Sequence, residues 1–165
     1  MPMIAIKVPD NMSGYLEAIK VPGKKSSASD MHITILYFEN DLSLRQIAAL
    51  TMIMSSVASE LKPFEVKFDS ISSFDKNNDK VPIICRVDSS GLMAVNTQLK
   101  RAFDLYGLQY SKTFPEYKPH ITLSYNTEPY EAKLDEQLSF MATGLYLFCG
   151  EEMNDKLVSH FQFGE

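Results

Sequence analysis

Only three histidines occur in the chain, and two of them open nearly identical tetrapeptides, His32-Ile33-Thr34-Ile35 and His120-Ile121-Thr122-Leu123. With ordinary residue usage, a given histidine begins such a tetrapeptide by accident roughly once in a thousand. Taken singly, either motif reads as a strand histidine satisfied by a neighbouring carbonyl, next to a threonine that favours extended backbone. Taken together, they supply two imidazoles and two hydroxyls. Imidazole titrates near 6.5, so its neutral and protonated forms coexist around neutrality. A neutral ring can remove a proton from an attacking hydroxyl or water while a protonated ring supplies the leaving oxygen. The threonine hydroxyls can donate to non-bridging phosphate oxygens and stabilise charge that builds in the transition state. The chemistry that uses this set is in-line displacement at phosphorus. His32 and His120 would act as acid and base and Thr34 and Thr122 as phosphate ligands, with no metal and no other cofactor.

The elements must bring these side chains together. In a strand, residues i and i+2 share a face, so each motif presents its histidine and threonine side by side. Ile33, Ile35, Ile121 and Leu123 would then anchor the other face. Residues 3–8 and 32–38 read as strands, with residues 23–27 a polar connection between them. Ser43 can cap a helix running to about Leu61, because Leu44, Ile47, Leu50, Met54, Val57 and Leu61 form a stripe, with Met52 and Met54 as core filler. Residues 64–68 and 81–87 read as a hairpin around residues 75–79. Asp75, Asn77 and Asp79 mimic the opening of a calcium loop, but Lys80 and Arg86 stand where its glycine and bidentate glutamate belong, which excludes calcium. A second helix is predicted over residues 90–106, with Leu92, Val95, Leu99, Ala102, Phe103 and Tyr106 on one side and Gly107 as its stop. After a loop over residues 108–119, strands are predicted over residues 120–125, 140–148 and 157–163. The order suggests an α+β sandwich of two similar halves sharing one core, folding as one domain.

Bulk properties narrow the partner. The chain has 165 residues, 45% hydrophobic and 22% charged, with a formal net charge of −5 and a sequence pI near 5.2. An acidic balance argues against duplex DNA or polymeric RNA, whose many phosphates need a basic track. A small nucleotide or oligonucleotide in a local pocket is compatible. No apolar run reaches the roughly 20 residues of a membrane span, and Met1-Pro2-Met3-Ile4 lacks the layout of a signal peptide, so a cytoplasmic setting without membrane contact is expected. Cys85 and Cys149 sit in apolar runs without C-x-x-C spacing and read as buried free thiols. No G-x-x-x-x-G-K-[ST] loop is present for ATP-driven ligation.

With its two His-x-Thr motifs, the second in the form Pro119-His120-Ile121-Thr122-Leu123-Ser124-Tyr125, the sequence resembles the 2H phosphoesterases. That superfamily includes the RNA 2′,3′-cyclic phosphodiesterases also called 2′-5′ RNA ligases. The resemblance covers nearly the whole chain. It implies a bilobal, pseudo-two-fold α+β fold, two antiparallel-rich sheets lining a central cleft with helices packed outside. It also implies that both histidines are catalytic and both threonines bind phosphate. Some phage members of the superfamily degrade cyclic oligonucleotide signals of bacterial antiviral defence, and this chain is compatible with such a role. Tyr117 and Lys118, just before the second motif, are candidates to place an aromatic face and a cation near the substrate. Phe114, Tyr15 and Lys112 are weaker candidates of the same kind, and His160 reads as a plain strand histidine. The expected function is hydrolysis of a cyclic phosphodiester, either a terminal 2′,3′-cyclic phosphate or a cyclic mono- or oligonucleotide. The rivals are a non-catalytic nucleotide-binding module and a structural protein.

Overall fold

The computed structural model describes residues 1–149 and 157–164. Among them, strand β1 (Met3–Lys7) lies between β3 (His32–Tyr37) and β9 (Gly144–Phe148), and β9 carries β10 (Leu157–Gln162) at the edge. A second group is formed by β4 (Phe64–Ser73), β5 (Val81–Asp88) and β6 (His120–Asn126), with the short β7 (Ala132–Lys133) and β8 (Ser139–Ala142) along β4. Every pairing is antiparallel. The groups meet through a single residue pair, Ile33 with Ile121, between β3 and β6. Two separate sheets are the sequence expectation; this isoleucine pair joins them into one ten-stranded sheet.

The helices begin and end where local chemistry dictates. Helix α2 (Leu44–Glu60) starts at a capping box: the Gln46 amide donates to Ser43 Oγ at 3.2 Å and the Ser43 amide donates to Gln46 Oε1 at 2.9 Å, satisfying two amides that the helix leaves unpaired. Helix α3 (Ser90–Tyr106) is capped by Ser89 and stops at Gly107, whose φ of 70° is a left-handed conformation that glycine adopts without strain. Leu50, Ile53, Met54 and Ala58 of α2 and Leu92, Val95, Leu99 and Phe103 of α3 are buried in one apolar cluster with Ile4, Ile6, Ile33, Ile83, Cys85 and Leu145 of the strands.

Several expectations are corrected. Leu44 and Met52 are 86% and 75% exposed and not core. Leu44 is the first helical residue, beyond the packed surface, and Met52 lies two residues, about 200° of helical turn, from the buried Met54. Tyr106, at the last turn of α3, is 69% exposed. Helix α1 (Asp10–Ala18) occupies a stretch to which the sequence assigns no element. Its sequence DNMSGYLEA contains weak helix formers, and only Ser13 and Leu16 are buried. The polar connection contains the two-residue strand β2 (Lys24–Lys25), paired with β6. Residues 140–148 are not one strand: the chain leaves β4 at Ala142 and joins β1 after Thr143, crossing from the second strand group to the first. No helix among the described residues is long and apolar enough to cross a membrane.

Candidate active site

The isoleucine pair that joins the two groups also positions the motifs. Ile33 and Ile121 are fully buried on the helix-covered face. Alternation turns the flanking residues to the opposite face. Extending the antiparallel register by one residue each way sets His32 beside Thr122 and Thr34 beside His120. The histidines are then diagonal neighbours, a relation that spans about 7–8 Å between strands.

Both rings are held in the same way. His32 Nδ1 lies 2.7 Å from the Asp30 carbonyl and His120 Nδ1 lies 2.8 Å from the Lys118 carbonyl. A carbonyl only accepts, so Nδ1 carries the proton in each neutral ring and Nε2 presents a lone pair. Burial pushes both imidazoles below their ordinary 6.5, opposed by those backbone hydrogen bonds. His120 is lowered further by its neighbours His32 and Arg86.

The threonines have partners of their own. Thr34 Oγ1 is 3.2 Å from the Tyr37 hydroxyl and 3.5 Å from Met3 Sδ, and the Tyr125 hydroxyl lies beside Thr122, which counters part of the rise that burial gives its pKa. Thr34–Tyr37 and Thr122–Tyr125 are the same offset in the two repeats. Strict alternation would turn each tyrosine away from its threonine. A β-bulge restores it to that face: the register jumps between Thr34 and Leu36 opposite Ala5 and Ile4, and between Thr122 and Ser124 opposite Ile84 and Ile83. Ile35 and Leu123 are the extra residues, so the repeat extends to His-x-Thr-x-x-Tyr with a bulge at one place in both copies.

Arg86 is the register partner of His120 on β5. Its Nε donates to Ser72 Oγ at 2.7 Å and its guanidinium sits 5.8 Å from the centre of the Phe74 ring. Phe74 in turn meets the His120 ring edge-on at 4.6 Å. No carboxylate lies within ion-pair distance of Arg86 among the described residues, so its charge is available to an anion. Sequence reasoning missed Arg86, Phe74, Tyr37 and Tyr125. Only the tyrosines left a signal, as the fifth residue after each motif histidine.

The weaker candidates scatter. Tyr117 buries its hydroxyl without a hydrogen-bond partner, and burial, with the nearby Tyr37, raises its pKa. The Lys118 side chain is exposed and pairs with Glu116 at 3.4 Å, while its carbonyl holds His120. Phe114 is 62% exposed. Lys112 lies over the Tyr110 ring and beside Asp104. Tyr15 is on α1, packed against the core near Cys85, Asp135 and Glu136. Cys85 and Cys149 are both free; Cys85 is buried, which pushes its thiol up to about 12, while Cys149 is only partly buried. Among the described residues, no group of three or more His, Cys, Asp or Glu converges as a metal would require.

Two inward imidazoles with free Nε2 atoms, two hydroxyls and an unpaired guanidinium on one sheet face are the furniture of a phosphoester-cleaving enzyme. Residues 8–148 match the 2′-5′ RNA ligase superfamily, and the chain belongs to this family, the 2H phosphoesterases. No curated protein matches at the sequence level. Among solved structures, TT0787 of Thermus thermophilus superposes with a TM-score of 0.79 at 16% identity, covering 99% of this chain and 98% of that one. A structure described as a phosphoesterase gives 0.73 at 17% identity over 99% and 98%. Escherichia coli LigT complexed with 3′-AMP gives 0.71 at 16% identity over 99% and 98%. At these identities the structures establish a shared fold.

Proposed function

We propose that this chain is a metal-independent phosphodiesterase that opens a cyclic phosphodiester by acid–base catalysis between His32 and His120. The observation that carries the proposal is the matched pair of imidazoles, each fixed through Nδ1 with Nε2 free, on adjacent strands with opposed threonines. In this reading the strand groups are two pseudo-symmetric lobes and the site is the cleft between them. One neutral ring takes a proton from water through Nε2 as the water oxygen bonds to phosphorus. The other, protonated, gives its Nε2 proton to the ribose oxygen as its bond to phosphorus breaks, leaving a phosphomonoester. Thr34 and Thr122 donate to the non-bridging oxygens and Arg86 offsets the growing negative charge. The crystal complexes of LigT with 3′-AMP, ATP and NADP+ support a nucleotide as the ligand class.

The test is turnover of a panel of 2′,3′-cyclic and 3′,5′-cyclic nucleotides, cyclic oligonucleotides and RNA ending in 2′,3′-cyclic phosphate, assayed in EDTA with His120→Ala as control. Turnover that survives chelation and vanishes in the variant is the expected result. Activity lost in EDTA and restored by zinc or manganese would show that the site has been misread, and binding without turnover would leave a nucleotide-binding module instead.

A further inference from the structure

The face that carries the histidines continues beyond them. Lys7 pairs with His32 and Ala5 with Thr34; on its other side Ala5 pairs with Tyr146, which pairs with His160. Directly opposed residues share a face, so Thr34, Ala5, Tyr146 and His160 form one row, on the side of the sheet away from the helices. Strands lie about 4.8 Å apart, which puts Tyr146 about 10 Å and His160 about 14 Å from the His32 strand.

The row is built and not incidental. Ala5 is small and buried beneath partly exposed aromatic rings, Tyr37 and Tyr146. Tyr146 stacks on His160 at 4.3 Å with 18° between planes and on Phe148 at 6.1 Å with 11°. Gly144 makes room for this: a Cβ there would come within 2.7 Å of His160 Nε2, so the imidazole rests over the β9 backbone where any side chain would displace it. Lys7, Gly144 and Tyr146 line a shallow pocket together with Pro9 and Thr143. His160 and Lys7 are exposed.

An aromatic shelf in line with a phosphate site, with a lysine between them, is what a single-stranded nucleic acid recognises: rings stack on any base and the cation neutralises the phosphate between bases. We propose that the Tyr146–His160 shelf binds the base next to the reacting phosphate, so that the substrate is an oligonucleotide and not a mononucleotide. This rests on the hydrolytic reading above only for the position of the reacting phosphate. The overall negative charge of the chain restricts such binding to a few nucleotides near the site.

The experiment compares kcat/KM for a 2′,3′-cyclic mononucleotide with that for RNA di- and trinucleotides ending in 2′,3′-cyclic phosphate. The unmodified chain, Tyr146→Ala, Tyr146→Phe and His160→Ala are measured side by side. We expect an oligonucleotide advantage of about 5- to 100-fold, from the worth of one base stack. Tyr146→Ala should abolish it, His160→Ala should reduce it and Tyr146→Phe should keep it, with mononucleotide turnover unchanged throughout. An equal kcat/KM for mono- and trinucleotide in the unmodified chain, or an undiminished advantage in Tyr146→Ala, overturns the proposal. A second readout is trinucleotide binding to His120→Ala by fluorescence anisotropy, with and without Tyr146→Ala. Binding to His120→Ala that depends on Tyr146, while the unmodified chain turns over none of the substrates, would sink the hydrolytic reading and keep the shelf. Binding indifferent to Tyr146 would sink the shelf.

Discussion

Each motif imidazole commits its Nδ1 proton to the carbonyl two residues upstream, His32 to Asp30 and His120 to Lys118, so both leave the same nitrogen, Nε2, for chemistry. In the proposed mechanism the matched arrangement lets the two rings exchange roles, and which acts as base depends on which side the leaving oxygen occupies. Replacing either by alanine should reduce turnover by about 10²–10⁴ with the thermal midpoint little changed; near-normal activity in either variant would defeat the two-histidine scheme. Thr34→Val and Thr122→Val should each cost less, about 10²-fold in kcat, and an unaltered kcat would remove the phosphate-contact role. Burial also sets the pH response. Since both rings are lowered from 6.5, kcat/KM, which reports the free enzyme, should peak on the acid side of that value. The same shifts act on stability. Between 6.5 and the lower folded-state values the unfolded chain binds more protons than the folded one, so stability is full above 6.5 and falls as the pH drops through that window. Thermal midpoints measured from about pH 7 to pH 5 should therefore fall less steeply in His32→Gln than in the unmodified chain, and parallel curves would contradict the assignment.

At the scale of elements, the motif strands are held as much by their edges as by each other. β2 clamps the far end of β6: Lys24 pairs with Tyr125, Ser124 Oγ donates to the Pro22 carbonyl at 2.7 Å, and Gly23 makes the approach possible. Gly23 has a φ of 92°, and a Cβ there would sit 2.2 Å from the Tyr125 carbonyl oxygen. Gly23→Ala should thus detach β2 from β6, lowering stability by about 1–3 kcal/mol and disturbing Tyr125, which lies beside Thr122. A chemical denaturation curve and a kcat measurement on the variant check this, and an unchanged midpoint would show that β2 bears no load. This is also where the reach of the sequence ends. The His-x-Thr pairs were legible because i and i+2 share a face in any strand, and α2 and α3 because their apolar stripes and serine caps are strong local signals. Tyr37 and Tyr125 were not, since a bulge reverses the alternation that the reading relied on and no periodicity announces one. Arg86 drew notice only as a residue that spoils a calcium loop; its place beside His120 is set by the β5–β6 register, a long-range fact. Helix α1 was hidden by weak helix formers and little burial.

At the scale of the whole molecule, the chain weaves between its two strand groups, and the two motifs stay side by side only while both groups keep their relative position. β1 and β3 come from the start of the chain and β9 and β10 from its end, whereas β4 to β8 are contiguous in the middle. The ladder between the groups is one residue pair, so other contacts must hold them. Phe163, following β10, supplies one: it is buried, stacks on Phe64 of the other group at 5.6 Å, and its amide donates to the Thr143 carbonyl at 2.8 Å, at the crossing between groups. Gly164, the next residue, donates its amide to the Ala58 carbonyl of α2 at 3.2 Å. If this weave makes one cooperative unit, Phe163→Ala should lower the stability of the entire chain by about 3–5 kcal/mol, a large fraction of the roughly 5–15 kcal/mol typical of such a domain. The chain lacks tryptophan but has eight tyrosines, so urea unfolding can be followed by tyrosine fluorescence, which samples all eight rings, Tyr37 and Tyr125 of the motif strands among them, and by far-ultraviolet circular dichroism, which samples all elements. Coincident transitions in both the unmodified and variant chains, displaced together, are the expected outcome. A variant whose tyrosine signal melts before its secondary structure would mean that the groups part before either unfolds, and that the two histidines are held together by less than the fold as a whole.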